Sequence, residues 1–190
     1  MGYYSREELE QMNFNHLGKD VMISTKACIY QPKRLSIGDY SRIDDFCVIL
    51  GDVTLGAHVH ITMYCHIGGG KHGVNIGDFV SIAYKSIIIT HSDDYSLECL
   101  HGPTVPINYR GGDEGPVEIK QYSLLATNNL VLPNVIIGEG VSTGANSIIK
   151  QDLEDWYLYA GFPLRKIRQN SKKCIEYAEE IRKKEMESGL

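Results

Sequence analysis

The sequence predicts an all-β protein: a parallel β-helix of about six coils with a short helix at each end. Three observations predict it. An aliphatic residue returns every six positions from Leu17 to Leu153, as in IGDYSR at Ile37, IDDFCV at Ile43, LGAHVH at Leu55 and ITMYCH at Ile61. The fifth position of each hexad is small or β-branched, as at Ser41, Cys47, Val53, Val59, Cys65 and Val80. The second is often glycine, as at Gly18, Gly38, Gly56, Gly77, Gly138 and Gly144. A period of six is neither that of a strand nor that of a helix. It describes a short strand and a bend, repeated, with the first and fifth residues inward and Gly, Asp and Asn supplying the bend dihedrals. One such unit cannot bury a core, so the units stack. A β-sandwich would instead show strict alternation between turn signals.

The 190 residues fit a single domain. Residues 1–16 read as a helical cap, 17–154 as the β-helix interrupted by a loop at 94–117, and 155–190 as a closing turn and a C-terminal helix. With 43% hydrophobic and 23% charged residues, the composition is that of a soluble globular protein. A formal net charge of −5, with no basic run ahead of the C-terminus, argues against a nucleic-acid partner. No stretch reads as a signal peptide or a membrane span, and five cysteines without a CxxC pair argue for reduced thiols, so a cytoplasmic location is expected. Cys47 and Cys65 fall on inward fifth positions and read as core filler.

Taken in order, Ser5 and Glu8 form a capping box ahead of a helix over about Ser5–Asn13, which would close the open end of the stack. Coils begin at Leu17, Ile37, Leu55, Ile76, Ile119 and Ile137. The register breaks around Pro32–Arg34, within GGGKHG after Ile67, and at 94–117. Each break falls in the third hexad of its coil, so all three excursions should leave near one corner. Coils stack about 4.8 Å apart, which sets His72 one coil from His91. Insertions gathered on one face of a repeat array often form the binding face. Pro103, Pro106, Gly111, Gly112 and Gly115 argue against regular structure in the long insertion, and a loop of that length is usually functional or disordered, function being the expectation here. The strongly charged tail, 170–188, reads as a terminal helix lying as a lid on the last coil.

The chemistry gathers at the same corner. His91, in IIITHSDDY, is a base whose ordinary pKa suits proton removal near neutrality. Asp94 opens the long loop and Glu118 closes it, so the two carboxylates are expected within several ångströms of each other. Either they are solvated turn residues or they form a pair that binds an ammonium group and raises one member's pKa. His72 is a second contact or a plain surface histidine. GGGKHG is not a phosphate-binding P-loop, since it lacks the GK[ST] ending. His58 and His60 alternate along one strand and share a face, with His66, His72 and His91 further on, but no carboxylate or third ligand is evident, and no metal is expected.

The hexads, the closing segment WYLYAGFPLRKIR with Gly161, Pro163 and Arg165, and the tracts LATNNL at Leu125 and TGANSI at Thr143 together resemble the hexapeptide-repeat acyltransferases. Leu164 replaces the usual small residue after the proline. The resemblance implies a left-handed helix, an acyl-coenzyme A co-substrate and a homotrimer with sites between subunits. It places the CoA arm against Ala126, Asn128, Gly144 and Ala145, and the CoA phosphates near Arg165, Lys166 and Arg168. His91 matches the general base of the family's sugar O-acetyltransferases, though Ser92 stands where those enzymes usually have proline. The layout is most similar to nucleotide-linked amino-sugar N-acyltransferases, such as those acting on dTDP-linked 4-amino-4,6-dideoxyhexoses. The expectation is therefore transfer of a short acyl group to a sugar amine by direct attack on the thioester, serving cell-surface polysaccharide synthesis, with Asp94, Glu118, His91 and His72 as the catalytic set. The alternative is sugar O-acetylation with His91 as base. A third, less favoured reading is a zinc carbonic anhydrase of the same fold, which would need a histidine at Ser96.

Overall fold

A computed structural model describes residues 2–188. The hexads form a three-faced parallel solenoid. On the first face the register runs Leu17, Ile37, Leu55, Ile76, Ile119, Ile137 and Leu153. On the second it runs Ile23, Ile43, Ile61, Ile82, Leu125, Thr143 and Tyr159. The third runs Ile29, Ile49, Ile67, Ile88, Val131 and Ile149. Two faces thus carry seven rungs where six coils were expected, because Leu153 and Tyr159 begin a further turn. The antiparallel strand Arg165–Gln169 ends the second sheet against Tyr157–Ala160.

The period also marks the core. Ser41, Cys47, Val53, Val59, Cys65, Val80, Ser86, Ser123, Val135, Val141 and Ser147, all fifth positions, are buried. The inward serines are satisfied by backbone: Ser41 Oγ–H donates to Gly56 O at 2.8 Å and Ser123 Oγ–H to Gly138 O at 2.8 Å. Thr143, the polar exception among first positions, accepts a hydrogen bond from the Ala126 N–H at 3.2 Å. Helix α1, Arg6–Gln11, is capped by Ser5 and Glu8 in a reciprocal box, and its Leu9 joins the top of the core.

The C-terminal helix α2, Cys174–Ser188, does not lie as a lid on the last coil. It runs back along one corner of the prism. That corner is built from residues with left-handed backbone, Tyr40, His58, Phe79, Tyr122 and Trp156, whose rings stack in a column. Successive centroids lie 5.0, 4.5, 5.9 and 6.1 Å apart. Gly140, φ +60°, takes the remaining place in the column, and a Cβ there would stand 2.3 Å from the Trp156 ring. Arg182 on α2 lies over Phe79 at 5.1 Å and pairs with Asp78 at 2.8 Å, while Glu185 pairs with His58 at 2.9 Å. Three residues of helix rise about 4.5 Å and one coil about 4.8 Å, so the helix keeps step with the column.

Candidate active site

All three excursions leave where the third face turns into the first. Pro32–Arg34 makes a short 3-10 turn there. Its Arg34 binds Asp52 of the next coil through two hydrogen bonds of 2.6 Å and reaches Gly70 O, a further coil on, at 2.9 Å. Gly51, φ +77°, lies so close to Gly70 that a Cβ would stand 2.4 Å from the Gly70 nitrogen.

The long insertion is more ordered than its prolines and glycines suggest. Its neck is a two-stranded antiparallel ribbon in which His91 faces Glu114, Ser92 faces Asp113 and Asp93 faces Gly112. A 3-10 turn at Ile107–Tyr109 follows the two prolines. Gly112, φ +144°, is required because a Cβ would sit 2.1 Å from the Ser92 carbonyl oxygen.

This ribbon brings together residues that the sequence separates. Glu114 Oε2 accepts from Lys71 Nζ at 2.5 Å and lies 3.1 Å from His72 Nε2, and its Oε1 lies 3.3 Å from His91 Nδ1. His91 Nε2 lies 3.5 Å from Asp93. Lys71 first, then His72, hold the Glu114 carboxyl down to about 2. The cluster lines a cavity of about 640 Å³ together with Ile107, Arg110 and Gly112. His72 and His91 therefore meet as the shared corner implied, but they meet on Glu114. Neither Glu114, Lys71 nor Arg110 was singled out in the sequence. An acid among glycines in a loop shows no alternation until the ribbon that carries it is known.

Asp94 and Glu118 are not brought together within this chain. The insertion closes at His91 and Glu114, so Asp94 lies three residues up the ribbon and Glu118 four residues down the other strand, in opposite directions at about 3.3 Å per residue. Asp94 turns inward on its own loop. Its carboxylate accepts from Ser96 N–H at 2.8 Å, Ser96 Oγ–H at 2.7 Å, Glu98 N–H at 3.1 Å and Cys99 N–H at 3.2 Å. The Ser96 bonds hold its carboxyl below the usual carboxylate range. Paired acids were expected to raise a pKa; here donors lower those of Asp94 and Glu114. Glu118 projects from the first face between Asn75 and Ile136. It lines a second cavity, of about 410 Å³, with Thr54, Asn75, Gln121 and Glu139.

The tracts matched to coenzyme A also have contacts of their own. The Ala126 N–H, expected to face the co-substrate, is donated to Thr143. Asn128 donates to Asn146 Oδ1 at 2.8 Å. Gly144 packs under Ala160, which a Cβ would approach to 2.8 Å. Ala145 is exposed beside it. Lys166 is drawn to Glu154 at 2.7 Å and lies over Tyr157. Arg165 and Arg168 are exposed on the last strand. Beside them Ile148, Lys150, Phe162, Pro163 and Leu164 line an apolar groove of about 390 Å³. Of the histidines weighed as metal ligands, His58 stands in the ring column and His60 lies 3.0 Å from Asp44. Among the described residues no three His, Cys, Asp or Glu side chains are grouped to hold a metal.

The profile of the bacterial transferase hexapeptide family (six repeats) matches residues 35–69. The chain is 35% identical over 179 residues to the dTDP-4-amino-4,6-dideoxy-D-glucose acyltransferase of Escherichia coli, covering 93% of each. It matches the crystal structure of AntD, an N-acyltransferase from Bacillus cereus in complex with dTDP and 3-hydroxybutyryl-CoA, with a TM-score of 0.94 at 42% identity, covering 96% of this chain and 97% of that one. A variant of AntD in complex with dTDP-4-amino-4,6-dideoxyglucose and coenzyme A matches equally, with a TM-score of 0.94 at 42% identity and the same coverage. On this likeness along nearly the whole of both chains, the protein belongs to the hexapeptide-repeat acyltransferases.

Proposed function

We propose that this chain transfers a short acyl group from acyl-coenzyme A to the amino group of a dTDP-linked amino-deoxy sugar. The observation that carries the reading is the match of fold along nearly the whole chain, at 42% identity, to AntD in complex with dTDP and 3-hydroxybutyryl-CoA. When bound, coenzyme A supplies the acyl group as an activated thioester. The apolar groove at Phe162–Leu164 and the exposed Arg165 and Arg168 suit its adenosine and phosphates, with Asn128, Gly144 and Ala145 along the path of its arm. In this chain the Ala126 N–H is left out of that role.

The transfer is a direct attack of the sugar amine on the thioester carbonyl. A C–N bond forms, the C–S bond breaks, and the proton that the nitrogen sheds on acylation passes to the leaving sulfur, so that coenzyme A departs as the thiol. Cys47 and Cys65 are buried in the core. Cys47 donates to the Thr62 carbonyl at 3.0 Å and Cys65 to the Ala83 carbonyl at 3.3 Å, and their burial keeps both out of reach of a thioester, so neither serves as an acyl carrier. Asp94 and Glu118 hold the amine as ammonium until a proton is lost, and His91 or a water accepts that proton. Because the two acids stand apart in one chain, their joint action requires a second copy. The reading therefore includes a homotrimer with sites between subunits, formed from single-domain chains. A cytoplasmic place and a role in cell-surface polysaccharide synthesis go with it; among the described residues no helix is long and apolar enough to cross a membrane.

The contact of His91 with Glu114 favours a second reading, sugar O-acetylation, since an acid that orients a histidine base is what a hydroxyl acceptor needs. Assay of dTDP-amino sugars and plain sugars against several acyl-CoAs separates the two. N-acylated product is expected. Turnover confined to hydroxyl acceptors would overturn the proposal.

A further inference from the structure

Glu114 partners Lys71, His72 and His91, but a fourth basic side chain lines the same cavity without an acid. Arg110 follows the 3-10 turn at Ile107–Tyr109, and its backbone is fixed by a bond to the Ile107 carbonyl at 3.2 Å. Its Nε is buried and makes no hydrogen bond among the described residues, and its guanidinium takes part in no ion pair among them. We propose that Arg110 reads the diphosphate of the nucleotide sugar. The inference rests on the nucleotide-sugar reading above and assigns the residue that recognises the nucleotide's charge.

Three lines of argument converge on it. A guanidinium stays charged and presents its donors as a planar fork that fits phosphate oxygens. A buried donor left without a partner costs stability, and sites bear that cost where a ligand supplies the acceptor. Charge points the same way. The whole chain carries a formal −5, yet the cavity is lined by Lys71 and Arg110 against the single carboxylate of Glu114. Lys71 is drawn onto that carboxylate, so Arg110 is the fixed cation left for an anion. A diphosphate, repelled over most of this surface, is attracted here. The cavity's apolar member, Ile107, lies three residues from Arg110 and offers a wall to the uncharged part of the same ligand.

The test compares Arg110→Ala and Arg110→Lys with the unaltered full-length protein, titrated separately with dTDP, thymidine and coenzyme A. Calorimetry follows the charged ligands and NMR titration the nucleoside. In Arg110→Ala the dTDP dissociation constant should rise about tenfold to a hundredfold, the scale of a lost charge-assisted hydrogen bond. Thymidine and coenzyme A should bind as before, and Arg110→Lys should recover part of the loss. Unchanged dTDP binding overturns the proposal. Equal losses for dTDP and thymidine also overturn it, since they mean that Arg110 only shapes the loop. Loss of coenzyme A affinity in place of dTDP affinity assigns the residue to the other co-substrate and overturns it too. Failure of the unaltered protein to bind dTDP while it binds coenzyme A would remove the nucleotide-sugar reading itself, and the inference with it.

Discussion

Replacing Asp94 by asparagine removes its charge but leaves one of its two oxygens. Oδ1 accepts from the N–H and hydroxyl of Ser96, and Oδ2 from the N–H groups of Glu98 and Cys99. A carboxylate has about four acceptor positions, so all are taken. A sugar ammonium can bind only by displacing a donor, and the Ser96 hydroxyl is the one free to rotate away. Asp94→Asn keeps two of the four loop bonds; Asp94→Ala keeps none. If the charge holds the amine, Asp94→Asn already lowers kcat/KM about 10²-fold, the usual worth of a positioned acid or base. Coenzyme A affinity, read by calorimetry, should stay unchanged. Ser96→Ala, which frees one acceptor position, should lower KM for the amino sugar. The reasoning fails if Asp94→Asn stays within about threefold of the unaltered enzyme while Asp94→Ala loses about 10²-fold. That pattern would make Asp94 an organiser of its loop and nothing more.

Glu118→Gln should cost about 10²-fold in kcat/KM, whereas His91→Ala should cost clearly less if the carboxylates carry the amine; near-complete loss in His91→Ala would favour the hydroxyl acceptor. Glu114, with its carboxyl held down to about 2, stays ionised in the native state at pH values where the unfolded chain takes up the proton. Its contribution is fully present above about pH 4.5 and is lost as pH falls from there towards 2. The gap between the melting curves of Glu114→Gln and the unaltered protein should therefore be full at pH 6 and narrow steadily as pH falls from about 4.5 towards 2; a gap that does not narrow refutes this. Arg182→Ala removes a half-exposed ion pair and a cation–π contact, together about 1–2 kcal/mol. Faster amide exchange along α2 should report it, with little change in kcat, and unaltered exchange would mean that the helix is held by other contacts.

The solenoid was legible in the sequence because its constraint repeats. An inward position recurs every sixth residue, and Ser41, Ser86, Ser123 and Ser147 are buried with the valines because the period, not the polarity, places them. The convergence of His72 and His91 was legible for the same reason, since counting hexads sends both excursions to one corner. What hid Glu114 was a ribbon inside a segment rich in glycine and proline, where pairing comes from backbone hydrogen bonds and leaves no side-chain pattern. The same ribbon moved the closure of the loop away from Asp94 and Glu118. The course of α2 was hidden differently: a charged amphipathic segment announces a helix but not which surface it covers. Its docking depends on Tyr40, His58, Phe79, Tyr122 and Trp156, each three residues after a first-face position, a recurrence that marks a corner but not the element that covers it.

The docking of α2 bears on how this protein can change length. Parallel solenoids ordinarily tolerate the gain or loss of a whole repeat, because each turn touches only its neighbours. Here Arg182 and Glu185 grip successive turns, at Phe79 and His58. Inserting one coil between Phe79 and Trp156 would carry both grips about 4.8 Å out of register, the rise of about three helical residues. The helix thus acts as a tally of the coils beneath it, and a duplicated coil would need a matching insertion in the tail before the two could close together again.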